Sequence, residues 1–247
     1  WVGKIRLPRV GIIGLPLTRL VHILKIAMAL ASELEALSSW LDDFPRKAMP
    51  VVGASGAPMC VLDFIVLGAV KRSLSLASGL IVLIKAKNMV CARAVLRMHL
   101  DTITRLSAYL YVEDPEQLAK AVLGGKALNT FKSKDGRPLR DGYLVDRLSE
   151  RFPWVRNVYD FTSGYVHFSE RQFFDAVHSV GNDEERTVRL SIGRTDDKYP
   201  EFSWEELPAC FNHLNAIFEE FMAEYVAWKR KRYPVSPPDL RESRANR

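Results

Sequence analysis

Between Leu207 and Trp228 the apolar residues Leu207, Phe211, Leu214, Phe218, Phe221, Tyr225 and Trp228 recur at steps of four, three, four, three, four and three. An α-helix turns once every 3.6 residues, so these side chains form one straight seam. A seam this long and this aromatic must be covered by other helices, which commits the chain to a helical bundle. Closure of the chain's own bundle is the first reading, and a seam between two copies is the alternative. Ser203-Trp204-Glu205-Glu206 has the form of a capping box that opens this helix. Pro234, Pro237 and Pro238 close it.

Further helical periodicity runs through the chain ahead of this seam. A helix is expected from Leu17 to Leu41, ending near Pro45, with Pro50–Pro58 as a loop. Residues 59–87 form a second helix, so apolar that it is expected to be covered on most sides. A third runs from Asn88 to Val112. Asp114-Pro115-Glu116-Gln117 then places a cap, a first-turn proline and a box-closing Gln before a short helix that breaks at Gly124-Gly125. A polar, basic loop spans Asn129–Arg140. Asp141 is expected to cap a short helix ending near Phe152, and Pro153 to start another reaching His167.

The period then changes to two. Phe173–Val180 and Arg186–Gly193, joined by Gly181-Asn182-Asp183-Glu184, read as a β-hairpin, with Val188, Leu190 and Ile192 on one face. The fold class is therefore all-α in the main, a helical bundle with an inserted β-hairpin (about 173–193) before the C-terminal helix. Residues 1–16 read as an irregular N-terminal segment, 17–232 as the helical domain and 233–247 as a disordered basic tail.

Charge is concentrated at the ends. The total is +6, but residues 1–25 carry +5 and residues 229–247 carry +5, leaving a body of −4. Basic ends can attract nucleic acid or acidic lipid, whereas a nucleic-acid surface on the folded body would ordinarily be a basic face. Three cysteines, Cys60, Cys91 and Cys210, have no metal-ligand spacing and read as reduced, buried thiols of a cytoplasmic protein. Residues 10–31 and 59–84 are the most apolar stretches, and both are interrupted by charge. They read as buried or amphipathic helices without integral membrane insertion, and no signal peptide is expected.

The chain has no Gly-Lys-Ser/Thr nucleotide loop, no Gly-x-Ser-x-Gly elbow and no His-Glu-x-x-His. Gly53–Pro58 superficially suggests a phosphate cradle but lacks the lysine. No cofactor and no metal is expected. Polar chemistry gathers on two helices instead. Arg156, Asp160, Ser163 and His167 stand four, three and four residues apart, one polar stripe within about 60°. A histidine beside an arginine and a hydroxyl has the parts for acid–base chemistry on a phosphodiester, or for a solvated helix face. Arg93, Arg97, Asp101 and Arg105 form a second row at four-residue steps, either self-paired or supplying cations to a phosphate or carboxylate. His99 falls in the apolar stripe with Val95 and Ile103 and reads as a core histidine.

Cys91–Arg105 and Phe161–Ser169 (Phe-Thr-Ser-Gly-Tyr-Val-His-Phe-Ser) resemble a group of uncharacterised bacterial helical proteins that share an Arg-rich helix and a later Ser-x-x-x-His-x-Ser segment. More distantly, roughly residues 60–230 resemble the HEPN superfamily of helical bundles. Many HEPN proteins are RNA-cleaving toxins or defence effectors that act as dimers, and others are non-catalytic. The HEPN motif pairs an arginine with a histidine four to six residues on. Arg93 to His99 has five intervening residues, and Arg156-Asn157 precedes His167 by ten. The resemblance implies a metal-independent ribonuclease and homodimer, with His167 as general acid/base, Ser163 and Asp160 orienting it, and Arg156 with Arg93 or Arg97 on the phosphate. A non-catalytic binding or regulatory module, with a protein or nucleic-acid partner, is the other expectation. A third is a peripheral membrane protein using its basic N-terminal segment.

Overall fold

The computed structural model describes residues 17–52, 58–167, 169–180 and 188–234. The expected irregular N-terminal segment, the Gly53–Ala57 loop, the hairpin turn and all but the first two residues of the tail lie outside them. The fold is a mostly helical bundle. Its helices are α1 (Leu17–Ala48), α2 (Val61–Lys85), α3 (Met89–Ser107), α4 (Pro115–Leu123), α5 (Asp141–Arg151), α6 (Trp154–Val166), α7 (Glu170–Ala176) and α8 (Glu201–Arg232). Strands β1 (Val177–Val180) and β2 (Val188–Leu190) pair antiparallel between α7 and α8, with Val180 opposite Val188.

The seam of α8 closes the chain's own core. Leu207 through Tyr225 are buried along it and Trp228 is partly buried, packed against α1, α3 and the start of α2. Phe218 meets Phe44 of α1 at 5.4 Å between ring centroids and His99 of α3 edge-on at 6.3 Å. Burying each such side chain contributes roughly 2 kcal/mol. The seam itself is taken up by the chain's own core.

Several boundaries differ from expectation. α1 continues through Pro45 to Ala48. The missing proline N–H costs one helical bond, but Phe44 and Ala48 on either side are buried in the core, and packing outweighs it. α8 opens at Glu201 behind Pro200, ahead of the expected box at Ser203. Asp114 caps α4 as expected, accepting from the Gln117 amide at 3.0 Å. Asp141 is instead the first residue of α5, its carboxylate taken by Arg105 of α3 at 3.1 Å.

Two corrections matter more. Phe173–Ala176 is helical rather than strand, because Ser169 and Gln172 form a box of their own: the Ser169 amide donates to Gln172 Oε1 at 2.7 Å. β2 is too short and too peripheral to bury its alternate face, so Leu190 and Ile192 stay exposed. In α2 the buried stripe is Leu62, Asp63, Val66, Val70, Ser73, Ala77, Leu80 and Ile84, while Phe64 and Val82 are 57% and 62% exposed. The expectation that α2 is covered on most sides fails because α3 lies along one flank and the other neighbours touch only part of its length. α2 is long and apolar enough to cross a membrane by length and composition alone.

Candidate functional site

The two polar rows meet. α3 lies against α6, and the arginines of its row are buried there, Arg93 at 8% exposure and Arg97 at 7%. Arg97 Nη1 donates to Ser163 Oγ at 2.6 Å, its Nε to Asp101 at 2.9 Å, and its guanidinium lies 3.7 Å from the centre of the Tyr159 ring. Ser163 in turn donates to the Tyr159 carbonyl at 2.6 Å. Stacking, ion pairing and hydrogen bonding together offset the cost of burying this guanidinium.

One turn earlier, Arg93 sits among three rings, Phe161, Tyr165 and Tyr199, at 5.1, 4.8 and 4.7 Å. Its Nη1 donates to the hydroxyls of Tyr165 and Tyr199 and lies 3.7 Å from Asp175 of α7. Tyr199 donates to the same Asp175 carboxylate, and its phenol is raised above the ordinary value, first by burial and then by that bond. Asp175 Oδ2 is buried without a partner among the described residues. Sequence reading missed Tyr165, Asp175 and Tyr199. The first stands on α6 opposite the polar stripe, and the other two sit in segments with no helical phase relation to Arg93.

The remaining stripe residues do not join this cluster. Arg156 pairs with Asp146 of α5 and lies 3.8 Å from Asp160, a surface network with both acids well exposed. His167 falls after the last turn of α6, in extended conformation with ψ 146°, and is exposed. The four-residue step from Ser163 to His167 therefore does not place them on one helical face. Ser163 and His167 share no hydrogen bond among the described residues, and Ser163 is committed to Arg97 and Tyr159. His99 is the core histidine its phase implied. It is fully buried, stacked on Phe211 at 4.1 Å and bonded to Asn215 at 3.0 Å, and burial lowers its pKa to about 3.

Beside Arg93 a groove of about 530 Å³ opens between α6 and α8, with Arg93 and Leu96 of α3 at its base. Trp154, Val158 and Phe161 wall it on one side, and Leu207, Ala209 and Cys210 on the other. Arg93 has no hydrogen bond from Nε or Nη2 among the described residues, so donors remain for a ligand. Glu206 and His213 stand exposed on the α8 side.

A second buried cluster lies where α8 ends against the start of α2. Lys229 Nζ donates to Asp63 Oδ2 at 2.7 Å and to the Val51 carbonyl at 2.8 Å, with Lys229 1% and Asp63 0% exposed. Asp63 also accepts from the Tyr225 hydroxyl at 2.5 Å and the Cys60 amide at 2.7 Å. Burial and the bond to Asp63 raise the Tyr225 phenol. Lys229 is thus a core residue rather than part of the basic tail. Among the described residues no group of His, Cys, Asp and Glu is placed to hold a metal ion. No protein-family model, curated protein or solved structure matches the chain.

Proposed function

We propose that this chain is a binding module whose groove between α6 and α8 takes an apolar molecule bearing a carboxylate, with Arg93 meeting the acid group. The observation that carries the reading is the buried Arg93 guanidinium at the base of a largely apolar groove, with donors left over. A small-molecule site is typically a cleft of ~300–1,000 Å³ with apolar walls and a few placed polar groups, and this groove has that size and make-up. An arginine oriented by two tyrosines is pre-organised for a carboxylate. Glu206 on the rim opposes a long polyanion lying along the groove.

Decanoate and decanol are the matched probes, followed by calorimetric titration and thermal unfolding. Decanoate is expected to bind and raise the unfolding midpoint, and decanol to bind at least ~10-fold more weakly. Arg93→Met removes the difference. Ala209→Trp fills the groove without touching the arginine, and is expected to fold and not to bind. Equal binding of the two probes, or binding that survives Ala209→Trp, refutes the reading.

A ribonuclease of HEPN type, acting on RNA as a homodimer, is the second reading. The contact between Arg97 and Ser163 supports it, because it puts the arginine row and the stripe that leads to His167 at one interface. Cleavage of labelled RNA in EDTA by the parent protein, lost in His167→Ala, would establish it and displace the first reading.

A further inference from the structure

A different cleft, of about 470 Å³, lies between α2 and α3 and is lined by Arg72, Asp101, Thr102 and Arg105 at one end. Ile65, Leu106, Tyr109, Val122 and Leu128 line the remainder. We propose that this cleft binds a phosphate monoester carrying a flat ring, a mononucleotide in size and chemistry.

The polar end is built around a held but unneutralised arginine. Arg72 Nε donates to Thr102 Oγ1 at 3.0 Å, while the Thr102 hydroxyl donates to the Met98 carbonyl at 2.8 Å. That relay fixes the guanidinium and leaves both terminal nitrogens without a hydrogen bond among the described residues. Arg72 has no acidic partner there either. Arg105 is held in place by both oxygens of Asp141, with Nη1 left over. Asp101, the acid lining the cleft, is engaged by Arg97 one turn earlier on α3. Two guanidinium groups with spare donors suit a dianionic phosphate, which accepts several charge-assisted bonds at once.

The other end of the cleft suits a ring. Its lining is apolar and includes Tyr109, and Gly68 and Ala69 keep the α2 wall low. A Cβ built on Gly68 meets nothing within 4 Å, so the space above it is open. The same openness supplies a test variant. Gly68→Leu projects into the cleft, strains no backbone and favours the helix over glycine.

Titration of the full chain with AMP, adenosine, inorganic phosphate and sulfate tests the proposal. AMP is expected to bind more tightly than phosphate or adenosine, and its affinity to fall as salt rises. Arg72→Gln and Gly68→Leu are each expected to weaken AMP by about tenfold or more, with helical content unchanged, while Arg147→Gln on α5 leaves it unaltered. Sulfate binding as well as AMP, or AMP binding equally to the parent, Arg72→Gln and Gly68→Leu, overturns the proposal. So does the absence of AMP binding at millimolar concentration. None of these outcomes bears on the groove between α6 and α8, which none of the variants touches.

Discussion

Replacing Lys229 by alanine leaves the Asp63 carboxylate fully buried without its counter-charge, and removes the donor to the Val51 carbonyl. Breaking a buried ion pair from one side costs ~3–5 kcal/mol, because the surviving charge has no water to turn to. Asp63 keeps two hydrogen bonds, from the Tyr225 hydroxyl and the Cys60 amide, so the lower end of that range, ~3 kcal/mol, applies. In a chain of this length each kcal/mol lowers the melting midpoint by ~2–4 °C, which gives a drop of ~6–12 °C. The assay is thermal and urea unfolding followed by helical circular dichroism, on Lys229→Ala, Asp63→Asn and the combined Asp63→Asn, Lys229→Met protein. The combined protein buries no ion, and is expected to recover most of the loss, with a coupling of at least ~1 kcal/mol in the cycle. A Lys229→Ala protein within ~0.5 kcal/mol of the parent, or single changes that simply add, would refute the reasoning.

Two other perturbations read burial directly. His99 holds a pKa of about 3 against 6.5 for the ordinary group, so the unfolded chain takes up a proton that the folded chain refuses. The stability due to the neutral ring is full above pH ~6.5 and is lost as the pH falls toward ~3, at up to ~1.4 kcal/mol per pH unit. Urea unfolding between pH 7 and 4 should show that slope in the parent and a flatter one in His99→Phe, and identical slopes would exclude His99 as the cause. Cys91 is exposed, whereas burial raises the Cys60 thiol and pushes that of Cys210 up to about 12. A thiol reagent at pH 8 should therefore label Cys91 quickly, the partly buried Cys210 more slowly and the buried Cys60 only on unfolding, with Cys91→Ser abolishing the fast phase.

What could be read from the sequence was what helical phase controls. The seam of α8, the cap at Asp114 and the core position of His99 all follow from 3.6-residue periodicity and end chemistry, and the structure has them there. Phase failed where a helix stopped. The stripe on α6 was extended one residue past its last turn, and that residue is His167. It failed again where a short box outweighed alternation: Ser169 and Gln172 turn Phe173–Ala176 into helix, despite residues that suit a strand. Lys229 was grouped with the basic residues that follow it, although it stands four residues after Tyr225 and so continues the buried seam. The meeting of Arg93 with Tyr165, Asp175 and Tyr199 depends on how α3, α6 and α7 cross, which no single helix encodes.

The link between Lys229 and Asp63 joins positions 166 residues apart in the chain. At ~5–20 residues per second of synthesis, Asp63 leaves the ribosome ~8–33 s before its partner exists. During that interval α1, α3 and α4 can already pack on α2, but Asp63 lacks the counter-charge that Lys229 gives it in the folded protein. The core is therefore completed by α8, which brings both the seam that covers it and the ammonium paired with Asp63.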